Sequence, residues 1–374
     1  MKEKIQLSNS NFTNFSFENY SRIFHGLKVI DFVSRFETDL EEYLDKDKSV
    51  VALNSGTSAI HLALVLSGVK SGDTVICQTA TFSASAFPII YQKAVPVFID
   101  SEEETSNMCP HLLEKIIVKQ ISNGKKPKAI IVVHLYGMPA KIDEISNIAK
   151  KYEIVLIEDA AEALGSTYKG QKCGTFGDFG ILSFNKNKII TAFGGGALVC
   201  KNIENKQKAI FLASQARDNA PHYQHSVVGY NYRISNLLAG IGKWQMGVLD
   251  EYIALRRMNN EFYQELFKDI DGVTVFVEPT NNYYSNHWLS CIKIQEEISG
   301  FNREDLRLQM LKDNIESRPL WKPMHLQPVF KDYDYHGGNV AEILFKNGLC
   351  LPSGSDLRND ERFRISSSIK KILK

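Results

Sequence analysis

The sequence of 374 residues lacks the features that mark nucleic-acid-binding, membrane and secreted proteins. Its charges nearly cancel, with 44 Lys and Arg residues against 43 Asp and Glu residues, so it has no strong field that would attract a nucleic acid or a membrane surface. No apolar run approaches the roughly 18 residues that cross a bilayer. The N-terminus also lacks the basic, apolar and small-residue pattern of a signal peptide. We therefore expect a cytoplasmic protein without nucleic-acid or membrane partners.

The sequence also lacks the cysteine spacing of a disulfide framework or a zinc site. Its six cysteines contain no Cys-x-x-Cys pair, and several lie inside apolar runs, which is typical of buried thiols in a reducing compartment. His222 and His225 form the one closely spaced histidine pair, and no nearby cysteine or carboxylate completes a familiar zinc spacing. We expect no metal ion. A chain of this length needs none, because it buries roughly three quarters of its unfolded surface.

What the sequence does have is a regular alternation of short apolar runs with helical patterns between residues 49 and 200. This order is typical of βαβ units around a mostly parallel sheet. The runs are continuously apolar, as expected for strands that are buried on both faces. The predicted strands are residues 50–53, 74–77, 95–99, 129–133, 154–157, 180–184 and 196–200. The predicted fold class is α/β, with a seven-stranded, mostly parallel sheet flanked by helices such as 58–66 and 141–152.

The pattern changes after about residue 245. The later patterns are helical at 244–267, strand-like at 273–277 and 288–294, and helical again at 303–313 and 340–347. From this change we predict two domains. A large domain covers residues 1–249, including the N-terminal segment, and a smaller C-terminal α+β domain covers residues 250–374.

Three segments of the predicted large domain carry side chains suited to chemistry. The first, Asn-Ser-Gly-Thr-Ser at residues 54–58, follows a strand and opens a helix. A helix N-terminus presents free N–H groups and a positive dipole end, so Gly56, Thr57 and Ser58 are candidates for a phosphate site. A helix cap alone is the alternative, because serine and threonine are common there. The segment is neither a Walker loop nor a G-x-G-x-x-G motif.

The second and third segments place a carboxylate and two amines at strand ends. Glu-Asp at residues 158–159 follows the strand 154–157, at the edge where open α/β sheets bind ligands. Asp159 is either a site carboxylate or the cap of a following helix. Lys186 and Lys188 follow the strand 180–184 and precede a run of glycines. The alternative for each lysine is a solvent-exposed loop position.

Together, these segments match the chemical requirements of pyridoxal 5′-phosphate (PLP). This cofactor needs an amine for its aldehyde, a carboxylate for its pyridine nitrogen, and hydrogen-bond donors for its phosphate. The lysines, the aspartate and the helix N-terminus supply one requirement each. A protonated ring nitrogen makes the ring an electron sink, so the aspartate is expected to act in the chemistry as well as in binding.

Five ordered motifs carry a resemblance to a known family. They are NSGTSAIHLAL (54–64), IEDAAEALGS (157–166), GTFGDFGILSFNKNKIIT (174–191), GYNYRISN (229–236) and RPLWKPMHLQPVF (318–330). From about residue 35 onward, the chain resembles the fold type I nucleotide-sugar aminotransferases of the DegT and StrS type. This resemblance implies an aspartate aminotransferase-like fold whose large domain binds PLP. Within the family, the chain is most similar to the UDP-N-acetylbacillosamine type, which aminates C4 of a UDP-linked 4-keto-6-deoxy-N-acetylhexosamine.

The resemblance also implies which residues hold the cofactor. Lys188 would form the internal aldimine, and Asp159 would pair with the pyridinium nitrogen. Ser183 would join Gly56, Thr57 and Ser58 at the phosphate. Phe82 would stack on the pyridine ring, and Glu162 would lie near the ring oxygen.

A second group of residues is implied to contact the substrate or a partner subunit. Asn231 would reach the phosphate of the neighbouring subunit's cofactor, which implies a homodimer with shared active sites. Arg318 and His325 would approach the sugar nucleotide. Lys186 stands where close relatives usually have glycine, and it would face solvent or the sugar diphosphate. The N-terminal stretch 9–17 departs from the family because it lacks the usual opening with proline and glycine.

We predict a PLP-dependent transaminase that uses L-glutamate to make a UDP-4-amino sugar for surface glycan or glycoprotein biosynthesis. The same chemistry on a GDP- or dTDP-linked keto sugar is one alternative, and a non-catalytic PLP-binding regulatory protein is another. A sugar dehydratase of this family would carry histidine in place of Lys188. A Rossmann dehydrogenase would carry G-x-G-x-x-G, which the sequence lacks.

Overall fold

The computed structural model describes residues 3–9 and 31–373. Its strands are β1 (Ser49–Leu53), β2 (Thr74–Gln78), β3 (Val95–Ile99), β4 (Ala129–Val133), β5 (Val155–Asp159), β6 (Thr167–Tyr168), β7 (Gln171–Lys172), β8 (Phe179–Ser183), β9 (Gly196–Cys200), β10 (Val273–Val275), β11 (Tyr283–Tyr284), β12 (Ser290–Ile294), β13 (Arg318–Pro319), β14 (Tyr335–His336) and β15 (Gly348–Leu351). Its helices are α1 (Phe32–Leu44), α2 (Gly56–Leu66), α3 (Phe87–Tyr91), α4 (Pro110–Ser122), α5 (Ile142–Lys151), α6 (Ile203–Ala213), α7 (Asn236–Met246), α8 (Leu249–Phe267), α9 (Glu296–Ser299), α10 (Arg303–Lys312), α11 (Val340–Asn347) and α12 (Asn359–Ile369).

The central feature is an eight-stranded sheet in the order β1-β9-β8-β5-β4-β2-β3-β14. Strand β9 runs antiparallel to both of its neighbours, and the other neighbouring pairs of this sheet are parallel. The predicted α/β fold class is confirmed, and all seven predicted strands lie in this sheet. The eighth strand, β14, was not predicted. It is two residues long and carries no apolar run, so the strand criterion could not detect it.

The sheet is buried on both faces, as the continuous apolar runs predicted. Successive side chains of a strand point to opposite faces, and in β4 Ile131 packs in the cluster that contains α2, while Ile130 and Val132 pack in the cluster that contains α4 and α5. The flanking helix α5 has acidic residues in its first turn and basic residues in its last turn. This charge order complements the helix dipole and favours a helix at that position.

The helical pattern predicted at 244–267 is two helices rather than one. Helix α7 ends at Met246, Gly247 occupies its C-cap position, and α8 begins at Leu249. Glycine at a helix end is a common stop signal, and the apolar periodicity continues across the break because both helices contribute to the core. Gly247 was the residue that could have revealed the break.

The C-terminal part contains a four-stranded antiparallel sheet in the order β10-β12-β15-β13. Helices α8, α10 and α12 contribute Tyr263, Leu306 and Ile365 to the core packed on this sheet. The strands β11, β6 and β7 form a third, small sheet. Over residues 3–9 and 31–373, no helix combines the length and apolar character required to span a membrane.

Candidate functional site

A pocket of about 910 Å³, including its open mouth, lies at the carboxyl edge of the large sheet. Strands β1, β5 and β8 run in the same direction, so the segments that follow them meet at this edge. The predicted residues that line the pocket are Gly56, Thr57, Phe82, Asp159, Glu162, Ser183 and Lys188. The structure therefore brings the three predicted segments into one cavity.

The first wall of the pocket is the N-terminus of α2. The Ser55 side chain caps the helix and accepts a hydrogen bond from the Ser58 N–H (3.0 Å). Gly56 and Thr57 face the pocket, and Ser183 lines it from β8. The helix itself cannot satisfy the N–H groups of its first turn, and such a terminus favours a phosphate. The residues present fit the phosphate group of PLP.

The Ser58 hydroxyl contacts the residues that precede α2, and its predicted role at the phosphate stays a prediction. Its Oγ donates to Asn54 Oδ1 (2.6 Å) and lies 2.8 Å from Ser55 Oγ. The described walls of the pocket do not include Ser58. The cap is thus observed in this segment, and the phosphate site at Gly56 and Thr57 stays a prediction.

The close approach of β9 to this helix terminus requires glycine at position 196. A Cβ atom on Gly196 would lie 2.4 Å from Gly56 N. We expect G196A to lower the free energy of unfolding by about 1–3 kcal/mol, as overpacking does, and to weaken PLP binding because α2 is displaced. Denaturant unfolding and cofactor titration measure the two effects. The matched control is G194A, since a Cβ there meets nothing within 4 Å; equal stability of the two variants would contradict the packing argument.

The two carboxylates at the end of β5 have separate tasks because neighbouring side chains of a strand point in opposite directions. Glu158 Oε2 accepts the Gly174 N–H (2.8 Å) and pairs with His134 Nε2 (3.0 Å). His134 Nδ1 accepts the Ala140 N–H (3.0 Å), so the ring carries its proton on Nε2 and donates it to Glu158. Glu158 therefore satisfies buried polar groups away from the pocket.

Asp159 is the carboxylate that faces the pocket, and it is only 5% exposed. Its Oδ2 accepts a hydrogen bond from Ser85 Oγ (2.6 Å), and Ser85 Oγ in turn lies 2.7 Å from Thr81 Oγ1. The residues that follow Asp159 form turns rather than a helix, so the predicted helix-cap alternative is wrong. Ser85 was not predicted from the sequence, because a serine within an apolar stretch gives no sign of its partner.

Lys188 reaches the pocket beside a buried carboxyl group. Its Nζ lies 3.6 Å from Glu162 Oε1, and its side chain is 12% exposed. The other oxygen of Glu162 accepts the Tyr136 N–H (2.8 Å). Burial raises the pKa of Glu162, and the positive charge of Lys188 opposes this shift. The pocket thus contains an amine and two carboxyl groups, which fit the aldehyde, the ring nitrogen and the ring oxygen of PLP.

Two aromatic side chains that were not predicted as site residues also line the pocket. Trp288 and Trp321 both line the pocket, and the Lys188 Nζ lies 4.2 Å from the Trp288 ring centroid. Phe82, at the mouth, is 51% exposed and packs on Trp321 with 5.4 Å between ring centroids. An exposed ring at a pocket mouth can stack on a planar ligand.

Arg318 and His325 lie outside the described walls of this pocket. Arg318 donates through Nε (2.9 Å) and Nη2 (2.7 Å) to Glu316 Oε1. His325 Nδ1 lies 2.7 Å from Thr79 Oγ1, and its Nε2 lies 3.2 Å from Glu342 Oε1. These contacts hold both side chains in local networks, and their substrate roles stay predictions.

Lys186 and Asn231 are not among the residues that line the described pocket. Lys186 is exposed, and its N–H donates to Asn185 Oδ1 (2.9 Å). The side chain of Asn231 is exposed, while its carbonyl accepts from Asn54 Nδ2 (3.1 Å) near the N-terminus of α2. The atypical N-terminal stretch lies outside the described residues except for Asn9.

The chain is similar to known proteins over nearly its whole length. The sequence profile of the DegT/DnrJ/EryC1/StrS aminotransferase family matches residues 25–370. EpsN of Bacillus subtilis (strain 168), named as a candidate pyridoxal phosphate-dependent aminotransferase, is 49% identical over 337 residues, which cover 89% of this chain and 86% of EpsN. The crystal structure of a DegT/DnrJ/EryC1/StrS aminotransferase from Brucella abortus is 28% identical with a TM-score of 0.88, and the match covers 97% of this chain and 96% of that chain.

Two further relatives bear on the substrate. The UDP-4-amino-4,6-dideoxy-N-acetyl-beta-L-altrosamine transaminase of Campylobacter jejuni is 37% identical over 364 residues, which cover 91% of each chain. A GDP-perosamine synthase of Escherichia coli O157:H7 is 34% identical over 342 residues, which cover 91% of this chain and 90% of that protein.

Proposed function

The chain belongs to the DegT/DnrJ/EryC1/StrS aminotransferase family, and from this premise we propose that it moves an amino group from L-glutamate to C4 of a UDP-linked 4-keto-6-deoxy sugar. It is a PLP-dependent sugar aminotransferase. The donor, the nucleotide and the position of the keto group are the proposal, as is use of the product in a surface glycan or glycoprotein. The observation that carries it is the meeting of Lys188, Asp159 and the α2 N-terminus in one pocket.

We assign the cofactor roles to the residues around this pocket. Lys188 holds the cofactor covalently, Asp159 keeps a proton on its ring nitrogen, and Phe82 covers its ring. The phosphate binds Ser183 and the N–H groups of the first turn of α2, which Ser58 keeps in place through the cap. Glu162 lies at the ring oxygen. In the proposed division of the chain, these residues all belong to the large domain (1–249), and residues 250–374 form the smaller one.

Lys188 is also the proposed acid and base of the reaction. When bound, PLP supplies an electron sink for the pair left at the substrate carbon after proton loss. The Nζ of Lys188 takes that proton and returns it to the neighbouring carbon of the cofactor. Its position beside Glu162 and Trp288 keeps the amine inside the pocket, away from bulk water. The same amine serves both half-reactions, with glutamate and with the sugar.

The choice of a UDP sugar follows the relative from Campylobacter jejuni and the motif pair EDAAEALGS and RPLWKPMH. The similarity to GDP-perosamine synthase favours a GDP-linked 4-keto sugar as the second candidate. Incubation of the enzyme and glutamate with UDP-, GDP- and dTDP-linked 4-keto sugars, followed by mass spectrometry, separates the candidates. We expect the amino product from the UDP sugar. Product from the GDP sugar alone would favour the second candidate.

We further propose a homodimer in which Asn231 completes the phosphate site of the partner subunit. Asn231 is exposed on the described chain, and its bond to Asn54 uses only its backbone carbonyl, which supports a contact of its side chain with a partner subunit. N231D should impair the neighbouring site because a carboxylate repels the phosphate, while K188A impairs its own. In a mixture that exchanges subunits randomly, each mixed dimer keeps one intact site, so activity should return to about a quarter of wild type. Activity no higher than that of the separate variants would contradict shared sites.

A further inference from the structure

We propose that the face of the Trp288 ring, with the carboxyl group of Glu162, forms a seat that holds Lys188 as an ammonium ion once the proton transfers are complete and the cofactor is in its amine form. This inference rests on the proposed function, in which Lys188 carries the cofactor. It assigns a positioning role to Trp288, a residue outside the motifs that predicted the site.

The geometry of the seat is that of a desolvated cation site. The Nζ of Lys188 lies 4.2 Å from the Trp288 ring centroid and 3.6 Å from Glu162 Oε1. Trp288 is only 1% exposed, so water competes little for the amine. Tryptophan offers the strongest cation–π face of the aromatic residues, and the attraction grows when the cation is desolvated. A neutral amine gains no comparable attraction.

Three hydrogen bonds hold Trp288 in place, one at its ring and two at its backbone. Its Nε1 donates to the carbonyl of Asn187 (2.8 Å), its backbone N–H donates to Asn286 Oδ1 (2.8 Å), and Arg256 Nη1 donates to its carbonyl. Ser8 Oγ donates to the same carbonyl of Asn187 (2.9 Å). The ring and the residue before Lys188 are therefore tied together, and the seat keeps its distance from the cofactor lysine.

The seat favours the product side of the first half-reaction, because the positive charge is localised on Nζ only after its bond to the cofactor has broken. That half-reaction converts glutamate, one water and the lysine-bound cofactor into 2-oxoglutarate, the amine form of the cofactor and free Lys188. The bond from Nζ to the cofactor carbon breaks, the nitrogen and an electron pair of glutamate pass to that carbon, and the water supplies the keto oxygen. If the bond to Lys188 is protonated at the start, both amines leave as ammonium ions and no further proton is needed. Stabilising the Lys188 ammonium thus favours the amine form.

The test is the equilibrium constant of this half-reaction in the holoenzyme. Glutamate and 2-oxoglutarate are mixed in known ratios, and absorbance gives the fraction of cofactor in each form. We expect W288L to shift the constant toward the lysine-bound form by about ten- to thirtyfold and W288F by about three- to tenfold, because a phenyl ring is the weaker cation–π face. S8A is the matched control, since it removes the hydrogen bonds of Ser8 Oγ to Asn187 and from Arg256 Nη2 (3.2 Å) but keeps the Trp288 ring; its constant should stay within about twofold of wild type.

The outcomes separate this inference from the proposed function. If wild-type enzyme shows no conversion with glutamate, the proposed function itself fails. If wild-type enzyme converts and W288F, with native circular dichroism and cofactor content, keeps the wild-type constant, the seat is refuted. A shift in S8A equal to that in W288F would assign the effect to the loop and also refute it. A change that destabilises both cofactor forms equally leaves the constant unchanged, so the readout reports the difference between the forms, and the S8A control tests for an effect of the loop.

Discussion

Replacement of Lys188 by alanine is expected to lower kcat by at least about 10⁴-fold, because one amine supplies both the covalent attachment and the proton transfer. The protein should still fold. Alanine at this position removes the amine from Glu162, 3.6 Å away, and from the Trp288 ring, and neither interaction supports a strand or a helix. Steady-state formation of 2-oxoglutarate with the keto sugar measures the drop in activity, and circular dichroism checks the fold.

The neighbouring lysine provides the matched control for this result. Lys186 lies two positions earlier in the same segment, is exposed, and does not line the described pocket. We expect K186A to keep the covalent link to the cofactor and K188A to lose it. Wild-type kcat in K188A would contradict the assignment of the amine, even if K186A behaves as expected.

Replacement of Asp159 by asparagine should lower kcat by about 10²- to 10³-fold, the range found when one electrostatic partner of a developing charge is removed. Asparagine keeps the size of the side chain but not the negative charge that holds a proton on the ring nitrogen. The loss should persist at saturating PLP, because the defect is in the reaction and not only in binding. Full recovery of kcat at high PLP would reduce Asp159 to a binding residue.

A change at Ser85, which contacts the Asp159 carboxylate, should give a smaller loss in kcat than D159N. Its hydroxyl donates to Asp159 Oδ2 at 2.6 Å, so S85A removes one neutral donor and leaves the charge. A hydrogen bond of this kind contributes about 1 kcal/mol, and the expected loss in kcat is about fivefold. A loss in S85A as large as that in D159N would mean that the position of the carboxylate matters more than its charge.

The sequence was sufficient for the parts of the fold that depend on local patterns. Continuous apolar runs predicted the seven long strands of the sheet, and the helix predicted at 58–66 corresponds to α2, which begins two residues earlier, at Gly56. Strand β14 was not predicted, because two residues are too few to show a periodic pattern. It pairs with β3, which lies more than 200 positions earlier in the sequence. The break between α7 and α8 at Gly247 was not predicted, because the apolar pattern continues through it.

The residues of the candidate site also separate into those that local sequence patterns predicted and those that they did not. Asp159, the pair of lysines and the residues at the α2 N-terminus follow from strand ends, which a sequence displays. The resemblance to the family, and not a strand end, selected Lys188 over Lys186. The position of Trp288 does not follow from a strand end. A hydrogen bond to Asn187, 101 positions away in the sequence, holds Trp288 at the site. In the motif RPLWKPMH, the sequence gives the segment but not which side chains face inward; among the described residues, Trp321 lines the pocket, whereas Arg318 and His325 contact Glu316 and Glu342.

Chemical trapping tests the covalent link between the chain and its cofactor most directly. Borohydride reduces such a link to a stable bond, and digestion followed by mass spectrometry identifies the modified residue. We predict that the label lies on Lys188 in the peptide that contains SFNKNK and is absent from K188A. A label on Lys186 or on a lysine outside the pocket, or no label in protein that has bound PLP, would contradict the assignment of Lys188.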